Sequence, residues 1–169
     1  MLTEAFIREF EQESATTRRV LERVPQDRLT WKPHPKSMSV GVLALHVAMS
    51  PSFIADWALQ DSVEMGDMGA SPEPKSTAEI LAAHDEGVKK TKAALAKIGD
   101  AGMAKDWKLT AGGATVMGMP KVALVRAIVL NHTYHHRGQL SVYLRLLDVP
   151  VPSIYGPSAD EGAFTPAKS

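Results

Sequence analysis

The sequence predicts an all-α protein folded as a four-helix bundle, with residues 1–169 forming a single domain. Four long segments carry apolar residues at helical spacing, which is the strongest local signal for helices that pack on one another. Prolines and glycines concentrate between these segments and after the last one, where they predict connections and a non-helical tail. No convincing run of alternating apolar and polar residues indicates a sheet. The length is sufficient for a bundle with its own hydrophobic core.

The first helix is predicted over about residues 3–24. Thr3 is a candidate N-cap, and an apolar stripe that includes Phe6 and Phe10 follows helical spacing. Charged residues occupy the remaining positions and predict a solvated face. Pro25 ends the helix, because proline has no N–H to donate and clashes with the preceding turn.

A second helix, rich in apolar residues, is predicted over about residues 40–60, with Ser39 as its N-cap. The linker before it, residues 26–38, contains two prolines that exclude a helix and favour an extended path. Pro51 lies inside the predicted helix, and we expect it to kink or restart the helix there.

The third helix begins at Ser76 or Thr77 and ends near residue 98, after a surface loop over residues 61–75. Ser76 and Glu79 have the spacing of a capping box, in which each side chain satisfies a backbone N–H at the helix start. Apolar residues follow the helical stripe to the end of the segment.

Residues 100–119 are predicted to be irregular, with a brief extended piece near Trp107, because glycines interrupt this stretch. Pro120 is well placed to begin a fourth helix, since proline suits the first helical position. That helix is predicted over about residues 121–147 and is the most apolar of the four. The tail over residues 149–169 carries four prolines, which exclude a helix.

The composition narrows the classes of function. The 19 basic and 19 acidic residues give a formal net charge of zero, so neither nucleic acid nor an anionic membrane is favoured as a partner. The absence of Cys excludes disulfides, thiolate metal ligands and a Cys nucleophile. No stretch has the length of a signal peptide or of a membrane span, which needs about 20 apolar residues. We therefore expect a soluble, cytoplasmic protein.

Three of the six histidines lie close together in the fourth predicted helix. His132 and His136 are four residues apart and share a helix face, so their two imidazoles can reach one point. His132 and His135, at a spacing of three, could do the same. We favour His136, because the helix face that carries His132 and His136 continues to the apolar residue Leu140. The helix face that carries His135 is also partly apolar.

A catalytic metal centre usually has a third protein ligand and an open position for water. His46 is the best candidate, because it lies among apolar residues of the second helix, where an unpaired imidazole is costly. Taken alone, a histidine in this setting is more often a satisfied core residue, and a His-x-x-x-His pair also occurs by chance. His34, between two prolines, is expected to be solvated, and His84 is expected to have a structural role.

Three sequence features resemble the DinB-like superfamily of bacterial four-helix-bundle proteins, also called the YfiT-like metal-dependent hydrolases. The features are Trp31-Lys32-Pro33 followed by Ser37-Met38-Ser39-Val40-Gly41 and His46, then His132-Thr133-Tyr134-His135-His136-Arg137-Gly138-Gln139-Leu140, and then Tyr143-Leu144-Arg145. The second is similar to the family's His-x-x-x-His-Arg-Gly-Gln signature. The resemblance covers most of the chain, from about residue 3 to residue 152.

The resemblance implies a divalent metal site that maps onto His46, His132 and His136, with nickel or zinc as the most fitting ions. It also implies a homodimer. The characterised branches of the superfamily include transferases and isomerases that use low-molecular-weight thiols. The implied function is therefore a metal-dependent transferase or hydrolase that acts on a small molecule, with a thiol as one possible substrate.

The alternative is a non-catalytic metal-binding or stress-associated bundle. The sequence identifies no general base, because no Glu stands beside the pair as it does in the His-Glu-x-x-His motif of zinc proteases. Free carboxylates that could approach the site include Glu64, Asp56, Asp106 and the pair Asp160 and Glu161. An enzyme predicts an open metal position in a pocket, whereas a non-catalytic site predicts a closed coordination sphere or a site with no accessible cavity. His135 stays an alternative to His136 as the second ligand of the fourth helix, or a residue that supports it.

Overall fold

The computed structural model describes residues 1–66 and 72–162, and the predicted four-helix bundle is confirmed. The loop predicted over residues 61–75 and the tail predicted over residues 149–169 fall partly outside the described residues. The helices are α1 (Leu2–Leu21), α2 (Val40–Ala58), α3 (Thr77–Met103), α4 (Lys121–Leu124) and α5 (His132–Leu146), and the strands are β1 (Ser62–Glu64), β2 (Asp106–Ala111) and β3 (Ala114–Pro120). A short 3-10 helix (Gln26–Arg28) follows α1.

The fourth predicted helix is one helical rod with three parts. A π-helical segment (Val125–Asn131) joins α4 to α5, so the predicted extent is correct but the regular α-helical repeat is interrupted. Each π turn contains an extra residue relative to an α turn, and such turns frequently occur at functional sites. Here the segment ends immediately before His132, and it therefore sets the face on which the histidines of α5 point.

The hydrophobic core forms two clusters along the bundle. One is centred on fully buried leucines of α1, α2 and α5, including Leu21, Leu43 and Leu140. The other joins Phe6 and Phe10 of α1 to the π-helical segment and the sheet. The apolar stripe predicted for the first helix is therefore the buried face of α1.

Helix α2 is the central core helix of the bundle. Its N-terminus is capped as predicted, since the Val42 N–H donates to Oγ of Ser39 at 3.1 Å. The helix continues through Pro51 without a break, so of the two predicted outcomes, a kink or a restart, the restart does not occur. By length and hydropathy alone α2 could cross a membrane, but 67% of its most apolar window is buried inside the bundle, and that burial accounts for its apolar character.

Helix α3 begins with the predicted cap, because the Glu79 N–H donates to Oγ of Ser76 at 3.0 Å. The helix runs five residues past its predicted end, with a kink at Gly99, where φ is +62°. Gly87 allows α3 to approach α2 closely, because a Cβ at this position would lie 2.9 Å from the carbonyl oxygen of Ala48.

A three-stranded sheet in the order β1-β2-β3 occupies the region predicted to be irregular. Strand β2 pairs in parallel with β1 and in antiparallel with β3, across a turn at Gly112 and Gly113, both with positive φ. The prediction of no sheet was wrong because the signal is short. Only Trp107 and Leu109 of β2 face inward, and β3 is exposed over most of its length and shows no alternation.

Candidate metal centre

Three histidines from two neighbouring helices converge on one point. His46 comes from α2, whereas His132 and His136 come from the first turns of α5. Nε2 of His132 lies 3.4 Å from Nε2 of His46 and 3.1 Å from Nε2 of His136. The ligand-capable atoms of the three side chains all lie within 4.8 Å of one another, and each side chain is only partly buried.

The spacing of these nitrogen atoms fits a divalent ion. With metal–nitrogen bonds of 2.0–2.1 Å, two ligands lie about 3.3 Å apart in a tetrahedral site and about 2.9 Å apart at adjacent corners of an octahedral site. The two separations from Nε2 of His132, 3.1 and 3.4 Å, lie close to these values. Imidazole donors suit zinc, nickel, copper and iron, so the donor set alone does not choose the metal.

The site keeps its imidazoles neutral. Burial, followed by the neighbouring His136, His46 and His135, lowers the pKa of His132 to about 4. Burial and then His136 lower the pKa of His46. Burial also lowers the pKa of His136, against a hydrogen bond to Gln139 that raises it. At neutral pH each ring therefore has a lone pair that a cation can accept.

The Nδ1 atoms of His136 and His132, which point away from the centre, differ in their surroundings. Nδ1 of His136 lies 2.7 Å from Oε1 of Gln139, one turn further along α5. Nδ1 of His132 is buried and has no hydrogen-bond partner within the described part of the chain. A carbonyl partner at the Nδ1 nitrogen orients a histidine ring, so the contact with Gln139 holds the ring of His136 in position.

Arg137, the residue after His136, fixes α5 against α1. Its guanidinium, which is 1% exposed, pairs with Glu13 at 2.7 Å and donates to Oγ1 of Thr17 at 3.1 Å. It also donates to the hydroxyl of Tyr155 at 2.6 Å and lies over the rings of Tyr134 and Tyr155. Arg137 is therefore a structural ion-pair residue, and its contacts determine the rotation of α5 about its own axis.

The remaining histidines lie outside this group. His135 is exposed on the neighbouring face of α5, with its ring centroid 4.8 Å from that of His136. His34 is exposed in the linker, as predicted. His84 is 5% exposed and contacts Asp85 at 3.4 Å between ring nitrogen and carboxylate, which fits the structural role predicted for it.

No carboxylate belongs to the three-histidine group among residues 1–66 and 72–162. Of the candidates considered from the sequence, Glu64 bonds to Thr110 in the sheet. Asp160 pairs with Arg145, and Glu161 pairs with Arg19 of α1 and with Arg23, just after that helix. These carboxylates have structural partners of their own.

An apolar rim extends from the site along α2. Met49 and Phe53 follow His46 by three and seven residues, which places them on the same helix face, and each is 47% exposed. The cavity enclosed by α1, α2, α3, the π-helical segment and α5 has a volume of only about 10 Å³, and none of the three histidines lines it.

The fold and the site together define a four-helix bundle with a three-histidine group on two adjacent helices. The chain matches the sequence profile of the DinB family over residues 1–168. The protein therefore belongs to the DinB family, as its motifs suggest.

Two solved structures share this fold. A DinB-like protein from Bacillus cereus ATCC 10987 has a TM-score of 0.71 and 22% sequence identity, over 90% of this chain and 97% of that chain. The DinB-like protein YjoA from Bacillus subtilis has a TM-score of 0.70 and 18% identity, over 95% of this chain and 99% of that one. At this identity the likeness establishes the fold.

A curated relative, the uncharacterised protein YrdA of Bacillus subtilis strain 168, is 42% identical over 45 residues. The match covers 27% of this chain and 26% of the length of YrdA. It is thus a local similarity between the two sequences.

Proposed function

We propose that the protein is a divalent-metal-dependent enzyme, of the thiol-dependent transferase or hydrolase type, that acts on a small molecule. The observation that carries the proposal is the convergence of three half-buried, neutral histidines without a fourth protein ligand among the described residues. A structural site normally closes its coordination with four protein ligands, whereas a catalytic site keeps a position open.

The ion proposed for His46, His132 and His136 is zinc or nickel. When bound, such an ion supplies a positive charge that lowers the pKa of a coordinated water or thiol and polarises a carbonyl group. The three imidazoles are neutral and leave that charge uncompensated, which favours this use.

The surroundings of the site favour a thiol over water as the nucleophile. Hydrolysis with a metal usually employs a carboxylate as general base, and the group contains none. A free thiol has a pKa of about 8.5 and ionises near neutral pH without such a base. The exposed Met49 and Phe53 provide an apolar surface for the rest of a small substrate.

The second candidate is a metal-binding protein without catalytic activity. The missing carboxylate favours it, because a bound ion with no base nearby also describes a site that only binds. The two functions differ in whether the loaded protein turns over a substrate.

We also propose that the protein is a homodimer, in line with its resemblance to the superfamily. Val142 and Leu146 lie one turn apart on α5 and are 56% and 57% exposed, so they form an apolar face without a partner in the described chain. The zero net charge gives no long-range repulsion against self-association. Light scattering on the eluted protein is expected to give about twice the chain mass of 18.3 kDa, and Val142→Lys is expected to shift it to the chain mass.

The activity is tested with protein loaded with zinc or nickel, in two parallel screens. One follows consumption of low-molecular-weight thiols with electrophilic acceptors, and the other follows hydrolysis of small esters and amides. We expect thiol transfer in the parent and in His135→Ala, and its loss in His136→Ala. A loaded parent that is inactive in both screens would support the non-catalytic alternative.

A further inference from the structure

A second cavity lies at the end of the bundle where α2 and α3 finish and α4 begins. Its volume is about 410 Å³, and cavities of about 300–1,000 Å³ are typical of small-molecule sites. None of the three histidines lines it. Leu59, in its wall, follows His46 by 13 residues, which corresponds to a rise of about 20 Å along the helix. The cavity is therefore separate from the candidate metal centre.

The walls of this cavity carry an excess of positive charge. Three lysines line it, namely Lys97, Lys105 and Lys121. Asp61 is the one carboxylate among the described residues that line it. The excess of two positive charges is local, because the whole chain has a formal net charge of zero.

Lys121 is built into the wall, whereas Lys97 and Lys105 are exposed at its rim. Lys121 is 4% exposed, and its Nζ lies 2.7 Å from Oδ1 of Asp61. The hydrogen bond from Lys121 is the main cause of a lowered pKa of Asp61, and the charge of Lys105 contributes to it. An ammonium has three N–H donors, and Asp61 is its one ion-pair partner in the described chain. Lys121 therefore keeps donors for a further acceptor in the cavity.

Backbone hydrogen bonds hold the walls of the cavity together. The N–H of Lys121 donates to the carbonyl of Lys105 at 2.8 Å, and the N–H of Lys108 donates to the carbonyl of Asp61 at 3.0 Å. These bonds tie the start of α4 and the segment after α2 to β2 and the residue before it. The backbone that carries the charges is thus in place before a ligand binds, which reduces the entropic cost of binding.

We propose that this cavity binds the phosphate group of a small organic phosphate. A phosphate monoester carries a charge of about −1.5 to −2 at pH 7 and has three terminal acceptor oxygens. That charge matches the local excess, and the three oxygens match the three ammonium groups. A carboxylate has one charge and two oxygens, so it would leave a lysine unmatched. Leu59 and Ile98 provide an apolar wall for the organic part.

The test is titration of the protein with phenyl phosphate, followed by calorimetry and by amide chemical shifts. We expect saturable binding that weakens as salt is added, with shifts at lining residues such as Gln60 and Gly102. Inorganic phosphate is expected to bind more weakly, and phenol is not expected to bind there. Equally tight binding of inorganic phosphate would overturn the role of Leu59 and Ile98, and binding of phenol at the same residues would overturn the role of the phosphate.

Exposed lysines allow the charges to be removed without disturbing the core. Lys97→Gln combined with Lys105→Gln is expected to weaken phenyl phosphate binding about tenfold, because two charge-assisted hydrogen bonds are lost. The matched control is Lys89→Gln combined with Lys90→Gln, since both lysines are exposed further back on α3 and lie beside Glu86. The control is expected to bind like the parent. Unchanged binding by the Lys97 and Lys105 variant would place the phosphate elsewhere, for example at an ion held by the histidines, and would overturn the proposal.

Asp61→Asn is expected to act in the opposite direction. It removes the competing negative charge, while the amide keeps an acceptor oxygen for Lys121. Phenyl phosphate is expected to bind about 2- to 5-fold more tightly than to the parent, the effect of one exposed charge pair. Weaker binding by Asp61→Asn in a folded variant, or no saturable binding by the parent at millimolar phenyl phosphate, would overturn the proposal.

Discussion

The guanidinium of Arg137 lies 2.7 Å from the carboxylate of Glu13, with Arg137 1% exposed and Glu13 18% exposed. This ion pair connects α5 to α1 one residue after His136. Because the arginine is sealed from water, its charge depends on Glu13 for compensation. The sequence neighbour of a proposed ligand is therefore also the main polar anchor of its helix.

Breaking this pair is expected to destabilise the protein strongly. Glu13→Ala leaves a buried guanidinium without its carboxylate, and we expect a loss of about 3 kcal/mol in the free energy of unfolding. Urea denaturation measures the loss. The matched control is Glu4→Ala, since Glu4 pairs with Arg8 on the surface, and it is expected to cost about 0.5 kcal/mol or less. Equal effects of the two substitutions would contradict the assignment of Arg137 as an anchor.

The sheet is expected to contribute to the core. Trp107 of β2 is 1% exposed and donates its indole N–H to the backbone carbonyl of Trp57 at 3.2 Å. Its ring also stacks on the indole ring of Trp57. Trp107→Ala is expected to cost about 3–5 kcal/mol, as for other large core residues. Val116 of β3 is 55% exposed, and Val116→Ala is expected to change the unfolding free energy by about 0.5 kcal/mol or less. A small loss for Trp107→Ala would show that the sheet is peripheral.

The stability of the metal-free protein is expected to fall with pH below about 6.5, the ordinary pKa of histidine. The folded state holds the pKa of His132 at about 4 and lowers the pKa of His46 and His136. At a pH between the lowered pKa values of the folded state and about 6.5, the unfolded chain binds protons that the folded chain does not, so acid favours unfolding. Above about pH 6.5 these histidines are neutral in both states, and their contribution to the free energy of unfolding is constant. Burial lowers the pKa of His84 as well, and His84 acts in the same direction.

Thermal denaturation between pH 8 and pH 4.5 measures this dependence, with chelator present. His132→Gln is expected to flatten the curve, and exposed His34→Gln is expected to leave it unchanged. A parent whose melting temperature stays level or rises as the pH falls towards 5 would contradict neutral histidines at the site.

The helices and the histidine pair were accessible from the sequence, because their signals are local. Periodic apolar residues gave α1 and α2, and the spacing of His132 and His136 placed two imidazoles on one face. The pairing with His46 is different, because it joins residues 86 positions apart. Its assignment relied on the apolar setting of His46 and on the family resemblance, and the convergence of the three rings agrees with it.

Other features depend on tertiary structure and have weak local signals. The inward face of β2 contains two apolar residues, too few for periodicity to register, and the π-helical segment has the same apolar composition as an α-helix. The exposure of Met49 and Phe53 depends on which face of α2 lacks a neighbouring helix. The sequence shows that these residues are apolar and share one helix face, but it does not show that this face stays exposed to solvent.

Metal content is the most direct test of the proposed centre. Protein purified without a histidine tag is analysed by plasma mass spectrometry, before and after loading with zinc or nickel, beside His46→Ala, His132→Ala, His136→Ala and the control His135→Ala. We predict about one equivalent of metal in the parent and in His135→Ala, and loss of that metal in the other three variants. A folded parent that retains no metal after loading, or a loss in His135→Ala equal to that in His136→Ala, would contradict a centre built by His46, His132 and His136.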